Sequence, residues 1–470
     1  MKKTLLSLAV ICCALGVFAQ DTPAEPVEAT CGPWEFPSYN EADSAAANGG
    51  NYSLFKLSQA YPETLPESPG GGFPWDKIDF RRKPVNFMKA VLGYCWEGMA
   101  DAKFVAQDNR SRTWYHAPWL DYGYAGREFH SGLRMDRTAA PGDLAAKQQE
   151  DVRNFSISYY NAQAGYALGQ VWCDPNKPDA SKAKFPIGSV IFRLTYTTAD
   201  TSLVPTLINA MKIEAFVQSG TENPLDEKEI RDVSLIQVDY QVRTNAKDAV
   251  NGWVFGSHVY DGRVEGDDML AKLVPVGLQW GNDPGVTPKQ VRDGEKSLEQ
   301  TWLNTEAWNQ EDLANSVVQK TGWGFRLQGP VSNKASSAMS EAMTAGWPMA
   351  PAFPPANDTI LNWHRNIPSG QPFWKNQTSL DYSLELRDGI RNFNIVTKED
   401  SLMKDDLRND LAEMLAFMPP LEQMVLEEEE EEAIHVDEGL TGRNLYVFIG
   451  FLALILVMLG LLIRNLMKKN

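Results

Sequence analysis

The sequence predicts a β-rich, sandwich-like ectodomain, then a mainly helical or irregular region, and last a single transmembrane helix. Three observations predict this. Short runs of β-branched and aromatic residues, each bounded by Gly, Pro, Asn or Asp, recur between Phe155 and Trp280. The texture changes after the turn signal Asn282-Asp283-Pro284-Gly285, where apolar residues fall at helical spacings. Finally, Leu445 to Ile463 is an unbroken apolar stretch, which at about 1.5 Å rise per residue matches the ~30 Å hydrocarbon core of a bilayer.

Both ends of the chain read as targeting segments. Lys2 and Lys3 precede an apolar run from Leu5 to Phe18, with Ala19 ahead of Gln20, the pattern of a secretory signal peptide over 1–19. At the other end a buried core helix would show a polar face, and 445–463 has none. Arg464, Lys468 and Lys469 follow it, so the positive-inside rule places the tail 464–470 in the cytoplasm and the body outside. The expected location is the cell membrane, single-pass, with the body extracytoplasmic and periplasmic in a Gram-negative cell. Small residues from Gly439 to Gly442 leave open a later removal of the anchor.

A net charge of −17 over 470 residues argues against nucleic acid and against docking on anionic lipid. Three cysteines, Cys31, Cys95 and Cys173, lie beyond the signal. One disulfide is compatible with them, its pairing open, but a dense disulfide framework or a zinc pattern is not.

Segment by segment, 20–72 is an extended lead closing on Ser68-Pro69-Gly70-Gly71-Gly72. The β-rich domain spans 73–285. It begins with a short helix around Val85 to Gly98, and strands follow at Phe155 to Tyr160, Tyr166 to Trp172, Ser189 to Thr198, Leu235 to Val242, Trp253 to Tyr260 and Leu273 to Trp280. In 286–400, Leu298, Trp302, Trp308, Leu313, Val317 and Val318 have helical spacing over Thr287 to Lys320, and a Gly/Pro-rich aromatic stretch runs from Gly322 to Trp374. The juxtamembrane part 401–444 holds a helix capped by Ser401 and an acidic stalk from Glu427 to Glu432, ahead of the span 445–463.

The stretch from Gly329 to Pro348, GPVSNKASSAMSEAMTAGWP, resembles a loop of bacterial exported c-type cytochrome-like proteins. Patches at 114–123, 126–137, 169–175, 252–262 and 273–285 resemble the same group. The resemblance implies a cytochrome c-like region over 286–400, where two cysteines bind haem covalently and a histidine ligates its iron. At the corresponding positions stand Ala338, Glu341 and Ala342, so the C-x-x-C-H motif is degenerate. No cofactor is expected by that route. Noncovalent haem would need an axial ligand from His116, His130, His258, His364 or His435. Glu341 reads as a solvated surface carboxylate.

A second constellation lies at 114–137, with Trp114, His116, Trp119, Arg127, Glu128, His130 and Arg134 as ligand-binding candidates. In one reading a histidine beside Glu128 acts as acid or base while an arginine holds an anion. In the other the same residues form a buried ion-pair network that fixes a long loop, and the lack of any catalytic spacing favours this one. No nucleophile elbow, zinc-protease helix, phosphate loop or dinucleotide turn is present. Asp239 and Asp261 fall in or beside predicted strands, but a carboxylate pair is judged by its separation in space. The expectation is an envelope subunit that is structural or binds a partner, such as another envelope or electron-transfer subunit. The alternatives are an enzyme or ligand-binding protein using 114–137, and electron transfer with noncovalent haem.

Overall fold

The computed structural model describes residues 31–39, 41–122, 126–218, 228–305, 321–349 and 360–397. Within them the chain builds one antiparallel eight-stranded sheet. The strands are β1 (Arg134–Met135), β2 (Asn154–Tyr160), β3 (Val190–Thr197), β4 (Lys212–Gln218), β5 (Lys228–Arg243), β6 (Trp253–Tyr260), β7 (Leu273–Gln279) and β8 (Thr301–Leu303). Their order is β1-β2-β3-β5-β6-β7-β8, with β4 pairing the first half of the long β5. The helices are α1 (Glu41–Gly49), α2 (Pro84–Trp96), α3 (Ala162–Val171), α4 (Pro288–Arg292), α5 (Ala338–Ala342) and α6 (Leu384–Thr397). A two-stranded ribbon joins β9 (Gly346–Trp347) to β10 (Thr378–Ser379).

Strand alternation gives the sheet two faces. One carries Phe155, Ile157 and Tyr159 of β2, Phe192, Leu194 and Tyr196 of β3, Val238 and Tyr240 of β5, and Val254 of β6. These form the first core cluster with Phe87, Met88, Val91 and Cys95 of α2. The opposite face is apolar at one end, where Tyr160, Ile191, Trp253 and Phe255 cluster with α3, with Leu327, Met339 and Ala342, and with Leu386, Ile390 and Phe393 of α6.

The sandwich-like expectation is corrected: a single sheet is covered on both faces by helices and loops, with no second large sheet among the described residues. The cytochrome c-like helical region is corrected as well. β8 extends the same sheet, Leu327, Met339 and Ala342 share a cluster with Tyr160 and Trp253, and α4 and α5 are five residues each. The single-pass anchor and the cell-membrane location are likewise corrected, since no helix among the described residues is long and apolar enough to cross a membrane. The segments behind those expectations, 1–19, 401–444, 445–463 and 464–470, lie outside the described residues, as does His435.

The strand expected at Tyr166 to Trp172 is helix α3. Asn161 decides this locally, because its side-chain oxygen accepts from the Ala164 amide at 3.1 Å, an N-cap that turns the chain out of β2. The same oxygen accepts from Val190 N at 2.9 Å, tying the helix start to β3. At the far edge of the sheet, the Glu128 carboxylate accepts from the amides of His130, Ser131, Leu133 and, on β4, Phe216.

Cys31 and Cys173 form a disulfide that joins the lead segment to the end of α3, a bond that persists where thiols are kept oxidised. Cys95 is free and buried, and burial pushes its thiol well above the usual range. The bridge closes a sequence separation of 142. Replacing both of its cysteines by serine should lower the unfolding free energy by about 2–5 kcal/mol, read from urea denaturation.

His258 points from β6 toward Tyr240, with ring centroids 5.8 Å apart, and neither of its nitrogens has a hydrogen-bond partner. Burial depresses its pKa from 6.5 to about 3. The folded chain therefore keeps the ring neutral where the unfolded chain protonates it, so stability falls as pH drops from 6.5 toward 3. His258→Leu should remove a slope of about 1.4 kcal/mol per pH unit from that limb. An unchanged slope in denaturation at stepped pH would contradict a neutral ring.

Candidate functional site

Most residues of the 114–137 constellation are buried, each committed to its own partners within the fold. Trp114 is in the first core cluster. His116 is fully buried; its Nδ1 accepts from the Ser58 amide at 3.0 Å, and burial, with Arg127 adding to it, holds the ring well below its ordinary pKa. Trp119 packs edge-on against Phe393 of α6. Arg127 donates to Asp121 at 3.0 Å and to the Gly132 carbonyl at 2.8 Å, each out of solvent. Glu128 is spent on the four amides already described, and burial still raises its pKa against them. His130 stands apart at the rim, 3.8 Å from Glu214. Arg134 leaves the group altogether and reaches α6, 3.2 Å from Asp388.

The chemistry collects instead on the second face of the sheet. Pairing sets Ser158 of β2 beside Arg193 of β3, Arg193 beside Asp239 of β5, Asp239 beside Ser257 of β6, and Ser257 beside Gly277 of β7. One polar row thus crosses four neighbouring strands and ends against a glycine on the fifth. Arg193 is clasped by Asp239 at 2.8 Å and by Asp136, just past β1, at 3.2 Å. Its guanidinium is held above its ordinary pKa because those carboxylates outweigh the burial that lowers it. About a third of the Arg193 side chain, 35%, faces solvent, so the row meets water at its Arg193–Asp239 pair. In the neighbouring row of the same face Gln237 bonds Asp239 at 2.7 Å. The hydroxyls of Thr195 and Ser257 are buried without partners.

Two elements wall this floor. Gly329 lies so close that a Cβ there would stand 2.0 Å from the Gln237 amide, and Val331 N donates to that amide's oxygen at 3.1 Å. The loop then enters α5 through a capping box formed by Ser337 and Ser340, placing Glu341 over Arg193. The solvated carboxylate expected at 341 is corrected: Glu341 accepts from Ser336 Oγ at 3.3 Å and Gln328 Nε2 at 3.5 Å. Burial raises its pKa, opposed by Arg193 and Arg387. Ala338 and Ala342 pack in the second cluster, so the three positions of the degenerate motif lie on one capped turn. The second wall is α6, where Asp388 meets Arg134, Arg387 and Arg391. Burial pulls the Asp388 carboxyl upward, but the three guanidiniums outweigh it and hold it at about 2.

The remaining candidates lie elsewhere. Asp261 forms a two-point pair with its own neighbour Arg263. His364 is fully buried, stacked on Trp323 with centroids 4.4 Å apart and 3.5 Å from Ser340 Oγ. Among the described residues no three His, Cys, Asp or Glu side chains are placed to hold a metal ion. Among Asp136, Arg193, Asp239, Glu341, Arg387 and Asp388, the two strand residues carry one legible signal. Arg193 interrupts Val-Ile-Phe-Arg-Leu-Thr-Tyr-Thr and Asp239 interrupts Leu-Ile-Gln-Val-Asp-Tyr, and a charge set into a strand buried on both faces calls for a partner.

Gly329→Ala should force the loop off Gln237 and destabilise the fold by about 1–3 kcal/mol. In a Gln237→Ser background, where the clashing amide is gone, the added cost of Gly329→Ala should be smaller than in the wild-type chain, as read by thermal denaturation of the four-member cycle.

No known protein family, no curated protein and no solved structure matches this chain.

Proposed function

We propose that this protein binds a small polar ligand in the cleft between the β2-β3-β5-β6 floor, the 328–341 wall and α6, and that it does so without transforming it. The observation that carries this reading is the polar row Ser158, Arg193, Asp239 and Ser257 facing Glu341. Charges are set there in alternation, close to solvent, on a rigid sheet. Burying ionisable groups costs stability unless they are well paired. A sheet that otherwise buries apolar side chains gains nothing for its own cohesion from such a row.

Several features favour binding over chemistry. The Cys95 thiol lies in the core behind the opposite face, far above its usual pKa. The Ser340 hydroxyl is engaged by its own capping turn, with the Ser337 carbonyl at 3.2 Å and the Ser337 amide at 2.8 Å. The Asp388 carboxyl is held ionised by the guanidinium groups of Arg387, Arg134 and Arg391, at about 2, which leaves it a poor proton donor. The 114–137 segment supports a pocket less well, because Arg127 and Glu128 are committed to partners within the fold.

A thermal-shift panel of amino acids, monosaccharides, dicarboxylates and nucleotides tests the reading. At a concentration near 100 times Kd, one class should stabilise the wild-type chain by about 2.7 kcal/mol, seen as a rise in melting temperature. Arg193→Met should abolish the rise. A panel with no stabilising compound, or one whose effect survives Arg193→Met, would overturn the proposal.

A further inference from the structure

The charges of the cleft do not balance locally, and the imbalance has a direction. On the α6 side Arg387 and Arg391 share Asp388 with Arg134, which also reaches Glu385 at 3.8 Å, and among the described residues neither Arg387 nor Arg391 has a second carboxylate within ion-pair distance. Arg387 approaches Asp388 from the adjacent position in the chain, at 3.3 Å through both Nε and Nη2. That side is short of anion. On the facing side Arg193 already serves Asp136 and Asp239. Glu341 has only the long contacts from Ser336 and Gln328, and among the described residues no cation lies within ion-pair distance of it. The other cations at that wall are turned elsewhere, Arg137 to Asp143 and Lys334 to the Gly329 carbonyl, so Glu341 is the carboxylate on that side left for a cation to meet. Between the two, the buried hydroxyls of Thr195 and Ser257 on the floor have no partner.

A free anion such as phosphate would meet Glu341, Asp136 and Asp239, and a lone cation would meet Arg193 and Arg387, so each is repelled by half of the cleft. A molecule that carries both charges a short distance apart satisfies both halves. We infer that the cleft takes a small zwitterion of the α-amino acid class, its ammonium against Glu341 and its carboxylate against the arginines of α6, with Arg387 foremost. This rests on the binding function proposed above and names the class of ligand. Planar guanidinium recognises a carboxylate by two parallel hydrogen bonds, and Arg387 is held beside the cleft by Asp388 for that task.

The test uses the twenty common L-amino acids, each at about 10 mM in a thermal-shift assay. Those that stabilise the chain are followed by titration calorimetry together with their N-acetyl and methyl ester derivatives. Blocking either charge should weaken binding by about 10- to 100-fold. Glu341→Gln, which keeps the shape of the side chain, should weaken binding by a similar factor while the unliganded melting temperature stays within a few degrees. Arg387→Gln should do the same, with its effect largest on the N-acetyl form, which retains only the carboxylate. An N-acetyl derivative that binds as tightly as the free amino acid, or a Glu341→Gln chain with unchanged affinity, would overturn the inference. Stabilisation by a sugar or dicarboxylate with none by any amino acid would overturn it too while leaving the binding function standing. Silence from every compound would overturn both.

Discussion

A single sheet with two faces, both of which must be covered, is the constraint from which the rest of this structure follows. Side chains alternate along each strand, so the pairing that sends Phe192, Leu194 and Tyr196 toward α2 also sends Arg193 and Thr195 the other way. A slip of one residue would bury Arg193 against α2 and expose the core set. The core and the polar row are therefore two products of one register. The second face resolves its mixed composition by division: α3 and α6 cover its apolar end, and the loop before α5 lies across its polar middle through Gln237.

The chain buries many polar groups, and the way each is paired separates those that hold the fold from those that face a ligand. Arg326 donates to the carbonyls of Asn282, Trp323, Asp283 and Val286 and so fixes the turn after β7. Asp381 gathers the amides of Phe185 and Gly370, the Ser369 hydroxyl and the Trp253 indole. Arg127 and Glu128 behave alike. In each case the partners include backbone groups whose loss would leave them unsatisfied, which is why such pairs are costly to break. In the cleft the partners are side chains of several distant segments, and Glu341 is held only loosely.

Much of the sheet was legible in the sequence. β2, β3, β6 and β7 fall within a residue or two of the expected runs, and α2 near its expected helix, because β-branched and aromatic runs between turn residues are a direct record of strands. β4, Lys-Ile-Glu-Ala-Phe-Val-Gln, escaped because its short alternation lacks turn residues at its start. α3 was misread because Tyr166 and Val171 weighed more than the cap at Asn161. The cleft was not legible, since Asp136, Arg193, Asp239, Glu341 and Asp388 meet only through strand register and the return of α6. Glu341 looked solvated for want of any local sign that Arg193 lay beneath it. The clustering at 114–137 was visible, but density of charge does not distinguish a recognition site from a loop anchored in the interior.

The Glu128 carboxylate does more than close a turn. Phe216 sits midway along β4, and its amide points away from β5 into that carboxylate. A neighbouring molecule that tried to add a strand there would have to evict a buried anion already bonded to three other amides, and would find carboxylate lone pairs where it needed a free donor. The position thus works as a stopper against end-on polymerisation, written into a residue whose immediate duty is to shape a loop.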